Sequence, residues 1–185
     1  MTRQPPPPHA LRLGFDRAFG RFLANESANI RSGVSERNLC GHLGFELRVE
    51  ANNPSWAGYY VDLEYNRNQG GQVKTILDER AVVVSITCDL IIHSRGQIPS
   101  CDNLVAIEMK KASHPAEAKE ADRRRLRALT KTSFDGVWSA DGETLPEHVC
   151  GYLLGLLIDL DGPNGRVSIE EYRCGELFGV EQLSF

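Results

Sequence analysis

Two short apolar segments joined by a loop constrain the fold of this chain more than any other feature. Residues 88–93 and 103–110 are both rich in β-branched and aliphatic side chains, and each has the length of a strand. The loop between them, residues 94–102, holds Arg95-Gly96 and Pro99, which are typical of a turn. The sequence therefore predicts a β-hairpin that pairs the two segments.

This predicted hairpin brings two carboxylates together. If it is symmetric about the middle of its loop, Asp89 lies opposite Glu108, where cross-strand Cβ atoms are about 4.5 to 5.5 Å apart. Carboxylates this close repel each other unless a cation lies between them, and Mg²⁺ prefers oxygen ligands. Lys110 shares a strand face with Glu108, because side chains alternate with period two. The sequence thus predicts a Mg²⁺ site with Lys110 beside the ion, where an ammonium can orient water or stabilise charge on a phosphate.

The order Asp89, then Glu108-Met109-Lys110, resembles the core motif of the PD-(D/E)XK nuclease superfamily, the restriction-endonuclease-like phosphodiesterases. The resemblance implies that Asp89, Glu108 and the backbone carbonyl of Met109 hold one Mg²⁺, for which Mn²⁺ can substitute. It implies catalytic roles for Asp89, Glu108 and Lys110. It also implies an α/β fold with a three-layer restriction-endonuclease-like core, in which helices flank a central mixed β-sheet.

The resemblance extends over roughly residues 30 to 160. Residues 60–67, 88–96 and 103–111 are similar to segments of small bacterial and phage proteins that are assigned to this superfamily. One departure is Cys88, which stands where the name of the superfamily has proline.

Glu36 is a further candidate for the site. It precedes Leu39 and Cys40 at helical spacing, so it falls on the apolar face of a predicted helix. That spacing leaves two interpretations open, an acid that stabilises the first helical turn through the helix dipole and an active-site residue. The resemblance implies the second, because members of the superfamily often carry an additional acid on the helix before the sheet.

Periodicity and turn residues predict an α/β order of elements. Helices are predicted over residues 11–24, 34–47 and 115–130, with a break at residues 25–33. Strands are predicted over residues 58–67, 82–92, 103–110, 147–160 and 166–172, the first of them a half-solvated edge. In the second strand, His93 is predicted to be a hydrogen-bonding neighbour rather than a metal ligand. This order indicates three layers around a mixed sheet.

Length and composition are those of one globular domain. The 185 residues can bury a full core, and a net charge of −4 excludes a protein that coats DNA by electrostatics alone. Residues 1–10 include four consecutive prolines and are predicted to be a disordered tail before a single domain at residues 11–185. The sequence lacks an apolar run suited to a signal peptide or a membrane span, so we expect a cytoplasmic protein. Five scattered cysteines predict neither disulfides nor a zinc site.

Three basic residues are the candidates for contact with nucleic acid. Arg67 ends the predicted edge strand, Lys111 follows the motif, and Arg124 lies in a basic run of the third helix. Such a run is more often a solvated helix face, where Glu117 and Glu120 pair with Arg124, so both interpretations are kept.

The sequence predicts a Mg²⁺-dependent endonuclease that hydrolyses DNA in restriction, defence or repair, with RNA left open as a substrate. A homodimer is expected if both strands of a duplex are cut, since that requires two active sites. The alternative is a catalytically inactive nuclease-fold module for binding or interaction, in which Asp89, Glu108 and Lys110 form a structural ion-pair cluster.

Overall fold

The computed structural model describes residues 5–64, 75–77, 83–85, 87–132 and 150–185. The helices in these ranges are α1 (Pro8–Arg31), α2 (Glu36–Ala51) and α3 (Ala116–Leu129), with short 3₁₀ helices at Pro54–Trp56 and Pro99–Cys101. The strands are β1 (Tyr60–Leu63), β2 (Thr75–Leu77), β3 (Val83–Ser85), β4 (Leu90–His93), β5 (Asn103–Lys111), β6 (Leu154–Asp161), β7 (Arg166–Arg173) and β8 (Glu176–Ser184).

Six of these strands form one mixed sheet in the order β1-β4-β5-β6-β7-β8. Its central pair, β5 and β6, is parallel because α3 lies between these strands in the chain and carries it back along the sheet. The remaining neighbours in this sheet are antiparallel. Strands β2 and β3 pair separately. The predicted mixed α/β fold is therefore confirmed.

The sheet lies between two layers of helices. Along β5, Val105, Ile107 and Met109 belong to a core shared with α1 and α2, whereas Ala106 packs in a second core with Leu126 of α3. Alternate side chains of a strand point to opposite faces, so α1 and α2 cover one face and α3 covers the other. Residues 108–111, at the end of β5, therefore lie between the two helical layers.

The first helix is longer than predicted at both ends. It begins at Pro8, where the missing amide hydrogen costs no helical hydrogen bond, so it takes in the last three residues of the predicted tail. It also continues through most of the predicted break, since Glu26 and Ile30 extend its buried stripe to Arg31. In contrast, α3 lies within one residue of its prediction at each end.

Three strand predictions need correction. The predicted strand over residues 82–92 is interrupted, because β3 and β4 are separate and belong to different sheets. Asp89 therefore lies one residue before β4 rather than within a strand. The strand predicted over residues 147–160 starts outside the described residues, and within them residues 150–153 are not strand, so β6 begins at Leu154. Strand β8 was not predicted.

The two edges of the six-stranded sheet differ in character. At one edge, β1 agrees with the predicted edge strand, although its Asp62 is buried and ion-paired rather than solvated. At the other edge, β8 pairs with β7 alone among the described strands, and its Leu177, Phe178 and Val180 are exposed. None of the described helices combines the length and the apolar character needed to cross a membrane.

Candidate active site

The paired strands β4 and β5 align the two predicted acids. Leu90 is opposite Ile107, so the next position outward sets Asp89 opposite Glu108, as the symmetric hairpin predicted. The backbone amide of Met109 donates a hydrogen bond to Asp89 Oδ2 at 2.8 Å, which fixes this carboxylate at the strand end. The Asp89 side chain is 29% exposed, whereas that of Glu108 is 1% exposed. One acid of the pair therefore faces solvent and the other is enclosed.

Helix α3 adds two charged residues that the sequence had not linked to the site. Arg125 Nη1 donates to Glu108 Oε1 at 2.6 Å and to Asp122 Oδ1 at 3.0 Å. Asp122 is itself buried on the inner face of the helix. The only sequence signal for these residues is their spacing from Leu126 and Leu129, which places them on the buried side of α3.

Lys110 lies among the carboxylates rather than apart from them. Its Nζ is 3.2 Å from Asp122 Oδ2 and 4.0 Å from Asp89 Oδ2, and it donates to the Met109 carbonyl at 3.3 Å. We use the name acid cluster for the carboxylates of Glu36, Asp89, Glu108 and Asp122 together with the cations of Lys110 and Arg125. The cluster holds four carboxylates and two permanent cations.

Burial and neighbouring charges shift the pKa values of three groups in this cluster, Glu108, Asp89 and Lys110. Burial raises the pKa of Glu108 to about 8, and Asp89 and Asp122 add to that rise while Arg125 opposes it. Burial also raises the pKa of Asp89, against the Met109 hydrogen bond and the Lys110 charge. The pKa of Lys110 is raised as well, because the charges of Asp89 and Asp122 outweigh its burial. Lys110 is thus a cation at neutral pH, and the carboxyl groups of Asp89 and Glu108 resist ionisation.

Glu36 contacts the end of β5 rather than only its own helix. Its Oε1 accepts a hydrogen bond from the Lys111 backbone amide at 2.7 Å and lies 3.3 Å from His114 Nε2. Ser35, not Glu36, caps the first turn of α2. The charge of Glu36 is also among the causes that raise the pKa of Asp89, so Glu36 is coupled to the cluster through space.

Of the three predicted nucleic-acid contacts, the two that the structure describes do not meet at the cluster. Arg67 lies outside the described residues. Lys111 Nζ donates to the Gly33 carbonyl at 2.8 Å, on the α1 and α2 side of the sheet. Arg124 lines a cleft of about 170 Å³ beside the β7–β8 turn, and this cleft shares no lining residue with the acid cluster. The predicted pairing of Glu120 with Arg124 is wrong, because Glu120 contacts Arg123 and Arg127 instead.

Two neighbours of the motif have structural contacts. His93 Nε2 lies 2.9 Å from Asp62 Oδ2, which confirms the prediction of a hydrogen-bonding neighbour. Cys88, at the position of the superfamily's proline, is buried, and burial together with the charge of Glu108 raises its pKa well above the usual value. Burial therefore favours the protonated form of this thiol.

The acid cluster offers few protein ligands for a metal ion. Among the residues that the structure describes, no group of three or more His, Cys, Asp or Glu side chains is arranged to hold one. The predicted ligand set has two carboxylates and the Met109 carbonyl, so a Mg²⁺ ion bound there takes its other ligands from water or phosphate.

Comparison of the chain with protein-family models, with curated proteins and with solved structures found no match. The resemblance to the PD-(D/E)XK superfamily therefore stays a prediction that rests on the residues of the motif and on their geometry.

Proposed function

We propose that this chain is a Mg²⁺-dependent endonuclease that hydrolyses DNA, with Mn²⁺ as a substitute metal. The observation that carries the proposal is the charge of the acid cluster, in which four carboxylates face two permanent cations. Full ionisation would give this partly buried cluster two excess negative charges, and a divalent cation favours that state because it offsets the repulsion between the carboxylates. Burial raises the pKa of Glu108 to about 8, and the charges of Asp89 and Asp122 add to that rise.

The residues present fit Mg²⁺. Asp89, Glu108 and the Met109 carbonyl supply oxygen donors, and Asp89 uses only Oδ2 in its contacts with described residues. Asp122 is buried, and its Oδ2 is paired with the Lys110 ammonium at 3.2 Å, so it positions Lys110 rather than the metal. When bound, Mg²⁺ supplies Lewis-acid activation of a phosphate and a water of lowered pKa.

The remaining roles follow from the contacts of each side chain. Asp122 holds the Lys110 ammonium 4.0 Å from the Asp89 carboxylate, where it can orient a nucleophilic water and stabilise charge on the phosphate. Arg125 keeps the buried Glu108 in place. Glu36 fixes the backbone at the end of β5, and we assign it a supporting role at the metal through water.

The fold supports the same proposal at the level of element order. The separate pair β2–β3 is not part of the six-stranded sheet. Without it, the chain runs from α2 through β1, β4 and β5 to α3 and β6, which is a helix, three strands, a helix and a strand. The resemblance to the PD-(D/E)XK superfamily implies the same order, a helix, three strands, a helix and a strand, for the restriction-endonuclease-like core. We therefore propose that core for residues 36–161.

One observation favours a second candidate, an inactive module in which the cluster is structural. Arg125 lies 2.6 Å from Glu108 and Lys110 lies 3.2 Å from Asp122, so cations of the chain already contact two of the carboxylates. Such pairs can hold α3 on the sheet without any chemistry. The two candidates differ in one measurable respect, since the nuclease alone requires a metal.

The test is cleavage of supercoiled plasmid and labelled oligonucleotides by the wild type and by Asp89→Asn. Each is assayed with Mg²⁺, Mn²⁺ and EDTA, and DNA and RNA oligonucleotides are compared. We expect metal-dependent cleavage by the wild type, its loss with EDTA and its loss in Asp89→Asn. The control is Asp16→Asn, which removes an exposed helical acid that pairs with Arg12. Activity that survives EDTA, or equal cleavage by Asp89→Asn, excludes the proposed mechanism, and absence of cleavage by the wild type favours the inactive module.

A homodimer is part of this proposal when the product is a double-strand break. Two identical sites related by a two-fold axis can cut both strands of a duplex. Size-exclusion chromatography with light scattering measures the oligomeric state. If the chain remains a monomer in the presence of duplex DNA and metal, it has one active site and cuts one strand at a time.

A further inference from the structure

A pocket lies beside the acid cluster, on the other side of the Glu36–Lys111 contact. It has a volume of about 510 Å³ and opens between the end of α1, the end of β5 and the β6–β7 turn. Strands β5 and β6 are parallel, so their carboxyl ends meet at this end of the sheet. Ligand pockets in α/β proteins concentrate outside the carboxyl ends of parallel strands, and their usual volume is about 300 to 1,000 Å³.

The polar part of the pocket is suited to an anion. Lys111 and Arg31 line it. Arg31 donates to the Phe185 backbone oxygen and lies over the Phe185 ring. Lys111 makes no ion pair with a carboxylate within the described residues, since its Nζ contacts the Gly33 carbonyl. The one acid in the lining is Asp161, and both of its oxygens accept hydrogen bonds from Asn164 within the turn. A phosphate can therefore approach Lys111 without displacing an existing carboxylate partner.

The apolar part of the pocket is its floor. Ile30, Leu39 and Leu160 line it and are each less than 5% exposed, so they form fixed walls rather than mobile surface side chains. Ser113 lies at the exposed side of the lining. A cavity with one charged wall and an apolar floor fits a ligand that is anionic at one end and flat and apolar at the other.

We propose that this pocket binds one nucleotide of the substrate, with its phosphate at Lys111 and its base against Ile30, Leu39 and Leu160. Lys110 and Lys111 are adjacent in β5 and point to opposite faces, so the cluster and the pocket are separated by the thickness of one strand. The inference deepens the proposed function and rests on it, because it assumes that the ligand of the cluster is a nucleic acid. It assigns the pocket to the nucleotide next to the phosphate that is cut.

The experiment measures binding of thymidine 5′-monophosphate to the full chain in EDTA, by ligand-observed NMR and calorimetry. Thymidine and inorganic phosphate are measured in parallel. The wild type is expected to bind the nucleotide at least about tenfold more tightly than either fragment, because only the nucleotide uses both ends of the pocket. Lys111→Met is expected to weaken nucleotide binding about tenfold, and Lys111→Arg to restore it, since a charge-assisted contact is lost and regained.

Two further variants complete the design. Lys131→Met removes an exposed lysine that does not line the pocket and is expected to leave binding unchanged. Ser113→Trp introduces a large ring at the exposed side of the pocket, so it is expected to weaken binding of thymidine and of the nucleotide but not of phosphate. The proposal is overturned if the nucleotide does not bind, or if Lys111→Met and Lys131→Met bind it equally.

Failure of this inference and failure of the nuclease proposal give different results. If the chain cleaves nucleic acid with a metal but does not bind the nucleotide in EDTA, the pocket proposal is wrong and the nuclease proposal stands. If the chain binds the nucleotide through Lys111 but never cleaves nucleic acid, the nuclease proposal is wrong. The chain is then a nucleotide-binding module.

Discussion

Arg125 of α3 donates to Glu108 of β5 across 2.6 Å, and the Glu108 side chain is 1% exposed. A charged group of the helical layer therefore reaches the centre of the motif. Because the same guanidinium also contacts Asp122, one side chain joins two carboxylates of the acid cluster. The stability of the α3 layer and the ionisation of the site are linked through this residue.

We expect Arg125→Gln to lower the free energy of unfolding by about 1 to 3 kcal/mol, because it leaves the buried Glu108 carboxyl without its hydrogen-bond donor. Urea unfolding of both proteins measures the difference. The matched control is Arg124→Gln, since Arg124 makes no ion pair within the described residues, and a change below about 0.5 kcal/mol is expected there. The double variant Arg125→Gln/Glu108→Gln should recover much of the loss. Equal losses in the Arg125 and Arg124 variants contradict the assignment.

Lys110→Ala should reduce cleavage by about 10² to 10⁴, the usual contribution of a positioned acid–base group, while metal binding stays nearly intact. Single-turnover cleavage and calorimetry are measured on the same preparation. Lys119→Ala is the control, because Lys119 is similarly buried and also forms an ion pair, with Asp159 at 2.6 Å. Cleavage by Lys110→Ala at the wild-type rate rules out this role. A large loss of stability without any wild-type activity assigns Lys110 to the structural cluster instead.

Asp89→Ala should abolish the binding of Mg²⁺ and of Mn²⁺ measured by calorimetry, because it removes the more exposed carboxylate of the proposed ligand set. Asp16→Ala, on the outer surface of α1, should bind both ions as the wild type does. Identical titrations of wild type and Asp89→Ala would show that the ion binds elsewhere.

Gly162→Ala should destabilise the fold by about 1 to 3 kcal/mol, the range for overpacking at a tight contact. Gly162 follows β6, and a Cβ there would overlap the carbonyl oxygen of Ile30 at the end of α1. Gly179→Ala is the control, because a Cβ at that position of β8 meets no atom within 4 Å. Thermal unfolding of both variants makes the comparison, and equal midpoints would exclude a close approach of turn and helix.

Acid should weaken the β1 edge through Asp62. Burial acts to raise the pKa of this carboxyl, but hydrogen bonds from Arg95 and His93 prevail and lower it below its usual 3.8. A carboxyl whose pKa is lower in the folded state than in the unfolded state stabilises the fold. This stabilisation is complete above about pH 4, and it is lost as the pH falls through 3.8 toward the pKa of the folded state. Asp62→Asn should therefore be less stable than the wild type at pH 7, with a smaller difference at pH 3. A constant difference between pH 7 and pH 3 contradicts this linkage.

Local sequence signals predict those parts of the fold that short-range physics decides. The bounds of α3 follow from Pro115 at its start and from the strong helix formers that come after it. The alignment of Asp89 with Glu108 follows from the symmetry of one hairpin. These features need no information from distant segments.

Features that depend on tertiary contacts were missed. Helix α1 continues through polar residues of low helix propensity because Ile30 is buried in the core, and packing outweighs propensity. Asp122 and Arg125 join the site only because the crossover between β5 and β6 lays α3 over Glu108. Strand β8 gives a weak signal, because neither of its faces is regularly buried and its polar and apolar residues do not alternate.

The position of β8 at the edge of the sheet lowers the free energy needed to detach it from its neighbour. Among the described strands β8 is bonded to β7 alone, and its Leu177, Phe178 and Val180 are already exposed, so detaching it uncovers little apolar area. Strand β5 is bonded on both sides, and its residues from Leu104 to Met109 are buried. The free energy of local opening therefore rises from the β8 edge to the β5–β6 centre. We therefore expect amide hydrogens of β8 to exchange with solvent through local openings, and those at the centre of β5 to exchange only when the sheet unfolds.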